Sequence, residues 1–160
     1  MVRVGDRFDD GRYVVKRQLG KGTFGRVVEM WDEKMRRTVA VKVVRAITKY
    51  RDEAKIEAEI LREVQDRIPG GTTGEPRVPI CRLFDTFVHR GHYCIALEKL
   101  GSSLYEALRS RRRRLQMTGA KEGVGQFFSL RRIQAIATDC FAAIAHLHWV
   151  GLTHTDLKLE

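Results

Sequence analysis

Proline is scarce in this chain, at three of 160 residues, while hydrophobic residues make up 43%. That balance excludes collagen-like and disordered chains and leaves enough apolar material for a folded core. Cysteine is equally sparse: Cys81, Cys94 and Cys140 are an odd number at wide spacing without a CxxC pair. Neither a disulfide framework nor a zinc site fits that spacing, so packed core thiols are expected. No apolar run approaches the ~20 residues of a membrane span, and the opening MVRVGDRFDDGRY has no apolar signal core. A soluble intracellular protein with no membrane partner is expected. There is no internal repeat, and the length suits one domain or a piece of a larger one.

What the chain has in excess is positive charge. Thirty Lys and Arg against 20 Asp and Glu leave +10, and Arg109 with Arg111 to Arg114 supplies half of it. The excess is therefore a patch more than a general property. The run fits a nuclear-import signal, an RNA contact, a docking patch or a solvated insert. No aromatic residues interleave it, which speaks against a nucleic-acid partner.

Residues 12–45 read as a β-meander: RYVVKRQLG, GRVVEMWD and RTVAVKVV, separated by glycines and by a charged DEKMRR turn. From Tyr50 to Ile68 the spacing of Ala54, Leu61, Val64 and Ile68 predicts a helix. PGGTTGEPRVP breaks the chain, and CRLFDTFV and HYCIALEKL then form a hairpin through HRG. A short helix is expected near SSLYEALRS and a longer one from Ser129 to Trp149, with Ile133, Ile136, Ala137, Cys140, Ile144 and Leu147 as its apolar stripe. Between them RRRRLQMTGAKEGVGQ reads as an exposed loop. Five strands, one helix and then a helical region make an α+β chain.

Four motifs carry chemistry. Gly20, Gly22 and Gly25 in LGKGTFGRV let backbone N–H groups approach a phosphate chain, and the alternating RVVEM after them places the loop between strands rather than before a dinucleotide-binding helix. Lys42 in VAVK shares a strand face with Ala40 and can reach toward that loop. Glu57 falls on the apolar stripe of the following helix, where a carboxylate needs a partner, and Lys42 is the obvious one. Glu59 lies about 200° around the helix and is a poor rival, and Glu53, one turn earlier, is a weaker alternative than Glu57. Finally, HTDLKLE offers Asp156 as a base for a hydroxyl proton and Lys158 as a cation for a phosphoryl group. His146 and His148 point to different helix faces, which makes a metal pair improbable.

In this order the motifs match the protein-kinase signature set. The chain resembles a eukaryotic protein kinase, and within that family the LAMMER or Cdc-like group, through LGKGTFGRVVE, KYRDEAKIEAEIL, YCIALEKLGSSLYEAL and LTHTDLK. Thr155 stands where most kinases have arginine, as is typical of the group. The resemblance runs from about Tyr13 to the last residue. It implies a kinase-like N-lobe of five antiparallel strands and one helix over 13–100, the start of a truncated C-lobe over 101–160, and an N-terminal extension over 1–12.

The resemblance also implies roles. Gly20, Gly22 and Gly25 would cover the ATP phosphates, Leu19 would join the cofactor-binding residues, Val27 and Ala40 would wall the adenine slot, and Lys42 would hold the α- and β-phosphates with Glu57 positioning it. Leu97 would be the gatekeeper, Glu98 and Leu100 the hinge contacts to adenine, and Glu106 a ribose contact. Asp156 would be the catalytic base and Lys158 the γ-phosphate contact. Protein substrates, in particular Arg/Ser-rich splicing factors, and a nuclear or cytoplasmic location would follow.

Two departures stand out. Leu159 replaces the proline usual in DLKPEN, which removes a fixed φ at a catalytic turn. The Mg²⁺-binding asparagine, due five residues after Asp156, and the DFG aspartate fall beyond Glu160, so these 160 residues alone are expected to be inactive. A non-catalytic kinase-like binding protein is the alternative reading, and a basic RNA-associated module a third.

Overall fold

The computed structural model describes residues 2–68, 78–118 and 128–159. The chain divides into two compact units, Met1–Arg67 with Cys81–Leu100, and Ile68–Ile80 with Gly101–Glu160.

The first unit is an antiparallel sheet with one helix. The strands are β1 (Arg7–Phe8), β2 (Tyr13–Lys21), β3 (Gly25–Asp32), β4 (Arg37–Val44), β5 (Leu83–His89) and β6 (His92–Glu98), in the order β1-β2-β3-β4-β6-β5. Helix α1 spans Thr48–Asp66. The five expected strands are all present. The sixth, β1, has only two residues, Arg7 and Phe8 paired with Val14 and Tyr13, so residues 1–12 contribute to the sheet as well as preceding it. Its shortness explains why no alternation announces it. The β5–β6 hairpin turns on Arg90 and Gly91, with φ of 49° and 80°. Two successive positive φ values give a turn whose twist matches that of the flanking strands.

Strand alternation builds two cores. Val39, Val41 and Val43 of β4 face one side with Tyr13, Met30 and Cys94. Val44 and Ile95 face the other, where Ala54 and Ala58 of α1 pack on them. On the first side no helix is needed, because the sheet curls until its ends meet: Tyr13 stacks on Phe87 with ring centres 4.8 Å apart, and Phe8 stacks on His89 at 4.1 Å.

Arg12 locks that curl. Its Nε and Nη2 donate to Asp32 at 3.1 Å each, and its Nη1 donates to Asp85 at 2.5 Å. Asp32 is fully buried and also accepts from the backbone N–H groups of Lys34 and Met35. Burial pushes its carboxyl up, but the Arg12 hydrogen bonds and the two backbone donors outweigh this and hold it below its ordinary value.

On α1 the buried residues are Ala54, Ala58 and Val64. Leu61 is half-buried, and Ile68 lies beyond the C-cap, Arg67. Gln65 fastens the helix to β5, donating to the Leu83 carbonyl at 3.1 Å and accepting from the Leu83 N–H at 2.8 Å.

The second unit contains α2 (Leu104–Thr118) and α3 (Leu130–Trp149). Here the expected loop is corrected: Arg111 to Arg114 are helical, inside α2, because arginine is a good helix former and the run continues the turn begun at Leu104. Leu115 to Thr118 of that expected loop are helical too, and its residues 119–126 lie outside the described residues. Ser129 caps α3 by accepting from the Arg132 N–H. The helix ends on Gly151, φ 83°, with the Leu152 N–H reaching the Leu147 carbonyl at 2.8 Å and the Gly151 N–H reaching His148, a Schellman motif.

The expected stripe on α3 is only partly covered. Ile136, Ala137, Ile144 and Leu147 are half-buried, Ile133 is 50% exposed and Cys140 is exposed. Of the three cysteines only Cys94 is a core thiol, pushed up to about 12 by burial; Cys81 is half-buried.

Candidate active site

Strand pairing sets the site in a row. Gly20 of β2 stands opposite Val27 of β3, Val27 opposite Lys42 of β4, and Lys42 opposite Ile95 of β6. Paired residues on neighbouring strands share a face, and Ile95 belongs to the core under α1. Glycine loop, Val27 and Lys42 therefore lie on the α1 face. Ala40 is in the next row on that face, opposite Leu97, which packs against the same core. Leu19 is exposed, in the bulge between Gln18 and Gly20.

From α1, Glu57 meets Lys42 across this face, Oε2 to Nζ at 2.5 Å. Ala54 and Ala58, which flank it, are the residues that press α1 to the sheet, so helix packing aims the carboxylate at the lysine. Both side chains are partly exposed, at 27% and 39%. A pair that open to water is worth at most about 1 kcal/mol, so it does little for stability. What it does is hold an ammonium at a fixed point beside the glycine loop.

The three glycines are there for two different reasons. A Cβ on Gly25 would sit 2.2 Å from the Val43 carbonyl oxygen, so glycine is imposed by the close approach of β3 to β4. A Cβ on Gly20 or Gly22 would meet nothing within 4 Å. Internal packing gives no reason for glycine there, whereas a phosphate chain laid against the backbone does. The loop closes through a hydrogen bond from the Gly22 N–H to the Gly25 carbonyl at 2.9 Å. Phe24, a residue the motif reasoning passed over, places its ring edge-on against Tyr50 of α1, 5.2 Å between centres. An aromatic between the second and third glycines was the available signal.

At the end of β6 the Glu98 N–H donates to the Arg82 carbonyl at 2.8 Å, and its carbonyl accepts from Cys81 Sγ at 3.9 Å. Leu100 is exposed, and among the described residues its backbone makes no hydrogen bond.

Asp156, Lys158 and Glu106 belong to the second unit. Lys158 Nζ donates to Asp156 Oδ2 at 2.8 Å. That hydrogen bond, together with the lysine charge, lowers the Asp156 carboxyl below its ordinary value, so it is ionised at neutral pH. Thr155 before it has φ 60°, a left-handed conformation rare for a β-branched residue. Leu159 accepts from the Tyr105 N–H through its carbonyl at 2.9 Å, a bond that the family's proline could equally accept. Glu106, for which a ribose contact is implied, accepts from the Ser103 N–H while its own N–H donates to Ser103 Oγ, both at 3.1 Å. This is a capping box for α2. Among the described residues no group of three His, Cys, Asp or Glu is placed to hold a metal ion.

The first unit carries a glycine turn with open backbone and a strand lysine held by a helix glutamate, and the second carries an Asp–Lys couple behind a His-Thr step; each is an element of the protein-kinase signature. The protein kinase domain family matches residues 13–160, and the chain belongs to that family.

Its relatives are kinases of the LAMMER type. Serine/threonine-protein kinase AFC2 of Arabidopsis thaliana is 38% identical over 93% of this chain and 31% of its own length. The dual specificity protein kinase CLK2 of Mus musculus is 32% identical over 100% of this chain and 29% of its own. A crystal structure of a kinase domain superposes with a TM-score of 0.80 at 32% identity, covering 100% of this chain and 41% of that one. The chain thus spans less than a third of the length of these curated relatives.

Proposed function

We propose that this chain supplies the nucleotide-holding and base-bearing parts of an ATP-dependent protein serine/threonine kinase with dual specificity, acting on Arg/Ser-rich proteins in the nucleus or cytoplasm. The observation that carries the reading is the Lys42–Glu57 pair beside the open glycine loop. Lys42 binds the α- and β-phosphates of ATP, and Glu57 keeps its ammonium from folding away. Leu97 and the backbone of Glu98 and Leu100 frame the adenine. Asp156 accepts the proton of the protein hydroxyl as its oxygen bonds to the γ-phosphorus and the bond from that phosphorus to the β-phosphate oxygen breaks, releasing ADP. Lys158 offsets charge on the transferring group. Protein kinases generally use Mg²⁺ to neutralise phosphate charge; the described residues offer no cluster for it.

Radiolabelled ATP and an Arg-Ser repeat peptide test this in the full-length protein that carries the chain. Wild type is expected to label the peptide, and Lys42→Met or Asp156→Asn to lose at least a hundredfold in rate, the effect of removing a positioned charge or base. Unchanged transfer by either variant rejects the assignment. ATP binding without any transfer by the wild-type protein would mark a non-catalytic kinase-like binder instead.

A further inference from the structure

The face of the sheet turned away from α1 holds a cavity of about 370 Å³, enclosed by β1, the ends of β3 and β4, and the β5–β6 hairpin. Buried Phe8 and Val43 form part of its wall. Arg7, Lys21, Arg26, Arg45 and Arg90 line it as well, against a single acid, Asp6. Lys21, Arg26 and Val43 stand in one row across three strands, one residue along from the row that carries Gly20, Val27 and Lys42, and therefore on the opposite face.

In this unit Arg12 is matched to Asp32 and Asp85, Arg17 to Glu29 and Lys42 to Glu57, while exposed lysines such as Lys16, Lys34 and Lys55 have no carboxylate partner among the described residues. Among the described residues none of the five at the cavity has such a match. Arg7 donates to the Gly11 carbonyl and Arg26 to the Gln18 side chain, both neutral. Asp6 is occupied by the Arg3 N–H at 2.7 Å. Two histidines complete the wall. His92 Nδ1 lies 2.7 Å from the Val44 carbonyl, which makes Nδ1 the protonated nitrogen and leaves Nε2 for another partner. His89 is held below its ordinary value by burial and then by Arg90 and His92. Even a histidine is discouraged from adding to the positive field there.

Five cations less one acid leave +4 at the cavity, and a phosphomonoester carries about −1.5 to −2 at neutral pH. Two such groups match the charge, and the volume lies within the ~300–1,000 Å³ of small-ligand sites. A nucleic acid would call for a stripe along the surface, whereas these cations gather around one partly open hollow. We infer that this cavity, which borders the glycine loop at Lys21 and Gly25 but lies on the sheet face opposite the Lys42 row, binds a small organic molecule bearing two phosphomonoesters.

Calorimetry on the full chain with D-fructose 1,6-bisphosphate as probe decides the matter. Arg45 and Arg90 are both exposed; Arg90 has φ 49°, so it is exchanged for asparagine, which tolerates that conformation. Binding is expected in wild type and in Lys42→Met alike, weakened at least tenfold in the Arg45→Ala/Arg90→Asn double variant, and weakened at least tenfold for inorganic phosphate. Fructose itself is expected not to bind. A matching thermal melt of the double variant establishes that it is folded. The inference is overturned by no binding of the bisphosphate at 1 mM, by equal binding to the double variant, by loss of binding in Lys42→Met, or by equal affinity for inorganic phosphate.

Discussion

In the unit formed by Met1–Arg67 and Cys81–Leu100 a single sheet carries two cores, whereas in the unit formed by Ile68–Ile80 and Gly101–Glu160 only His146 is buried among the described residues. Both obey the expected periodicity of their elements. The sheet finds cover on both sides, from its own curl and from α1. Helix α3 has the same kind of apolar spacing, yet on its stripe Ile136, Ala137, Ile144 and Leu147 are only half-buried, Ile133 is 50% exposed and Cys140 is exposed. Periodicity specifies which face would be buried; whether it is depends on a neighbour.

The sharpest way to break the contrast is at its most buried charge. Asp32→Ala leaves Arg12 without its main partner and is expected to cost the sheet unit about 3–5 kcal/mol in urea unfolding. Asp32 is held below its ordinary 3.8 in the folded state. Its contribution is therefore fully present above that value and is lost as pH falls through the lower, folded one. Acid titration of wild type against Asp32→Ala reads this directly: the stability gap narrows below about pH 4. A gap constant down to pH 2 would contradict it.

A size truncation compares the two units next. Ile95→Ala, at a side chain with no exposure, is expected to cost about 2–4 kcal/mol. Ile133→Ala, half exposed on α3, is expected to cost under about 1 kcal/mol in the same assay, since little burial is lost. Equal losses would show that α3 is packed as the sheet is.

Within the glycine motif, Gly25→Ala drives a Cβ into the Val43 carbonyl and is expected to cost about 1–3 kcal/mol. Gly20→Ala and Gly22→Ala, in open space, are expected to stay within about 0.5 kcal/mol while weakening any ATP binding read by calorimetry. The smallest effect is at Phe141→Ser, a side chain 72% exposed, expected to stay within about 0.5 kcal/mol in the same unfolding assay.

Much of this was legible in the sequence, for reasons of range. The strand RTVAVKVV declares its faces by alternation, and Glu57 declares its partner because an unmatched acid on an apolar stripe demands one nearby. What was not legible depends on residues brought together from afar. Arg12 meets Asp32 and Asp85, 20 and 73 positions away, and no local pattern joins them. The basic cavity gathers side chains from β1, β2, β3, the end of β4 and a hairpin turn, so the net charge of +10, half of which seemed to sit in one arginine run, concealed a second concentration. The loop expected at Arg111 to Arg114 failed for a different reason: polar composition reads as loop, although arginine propagates a helix well.

The strand order has a consequence for how the chain is made. β4 lies inside the sheet, but its neighbour β6 comes late: β4 ends at Val44 and β6 begins at His92. At about 5–20 residues per second, synthesis takes roughly 2–10 s to cover that interval. Through those seconds the valines of β4 border an edge without hydrogen-bonding partners, while α1 and the segment after it emerge. A nascent chain in that state offers a template to any other strand it meets, and its hazard ends only when the hairpin at Arg90 and Gly91 closes and seats β6.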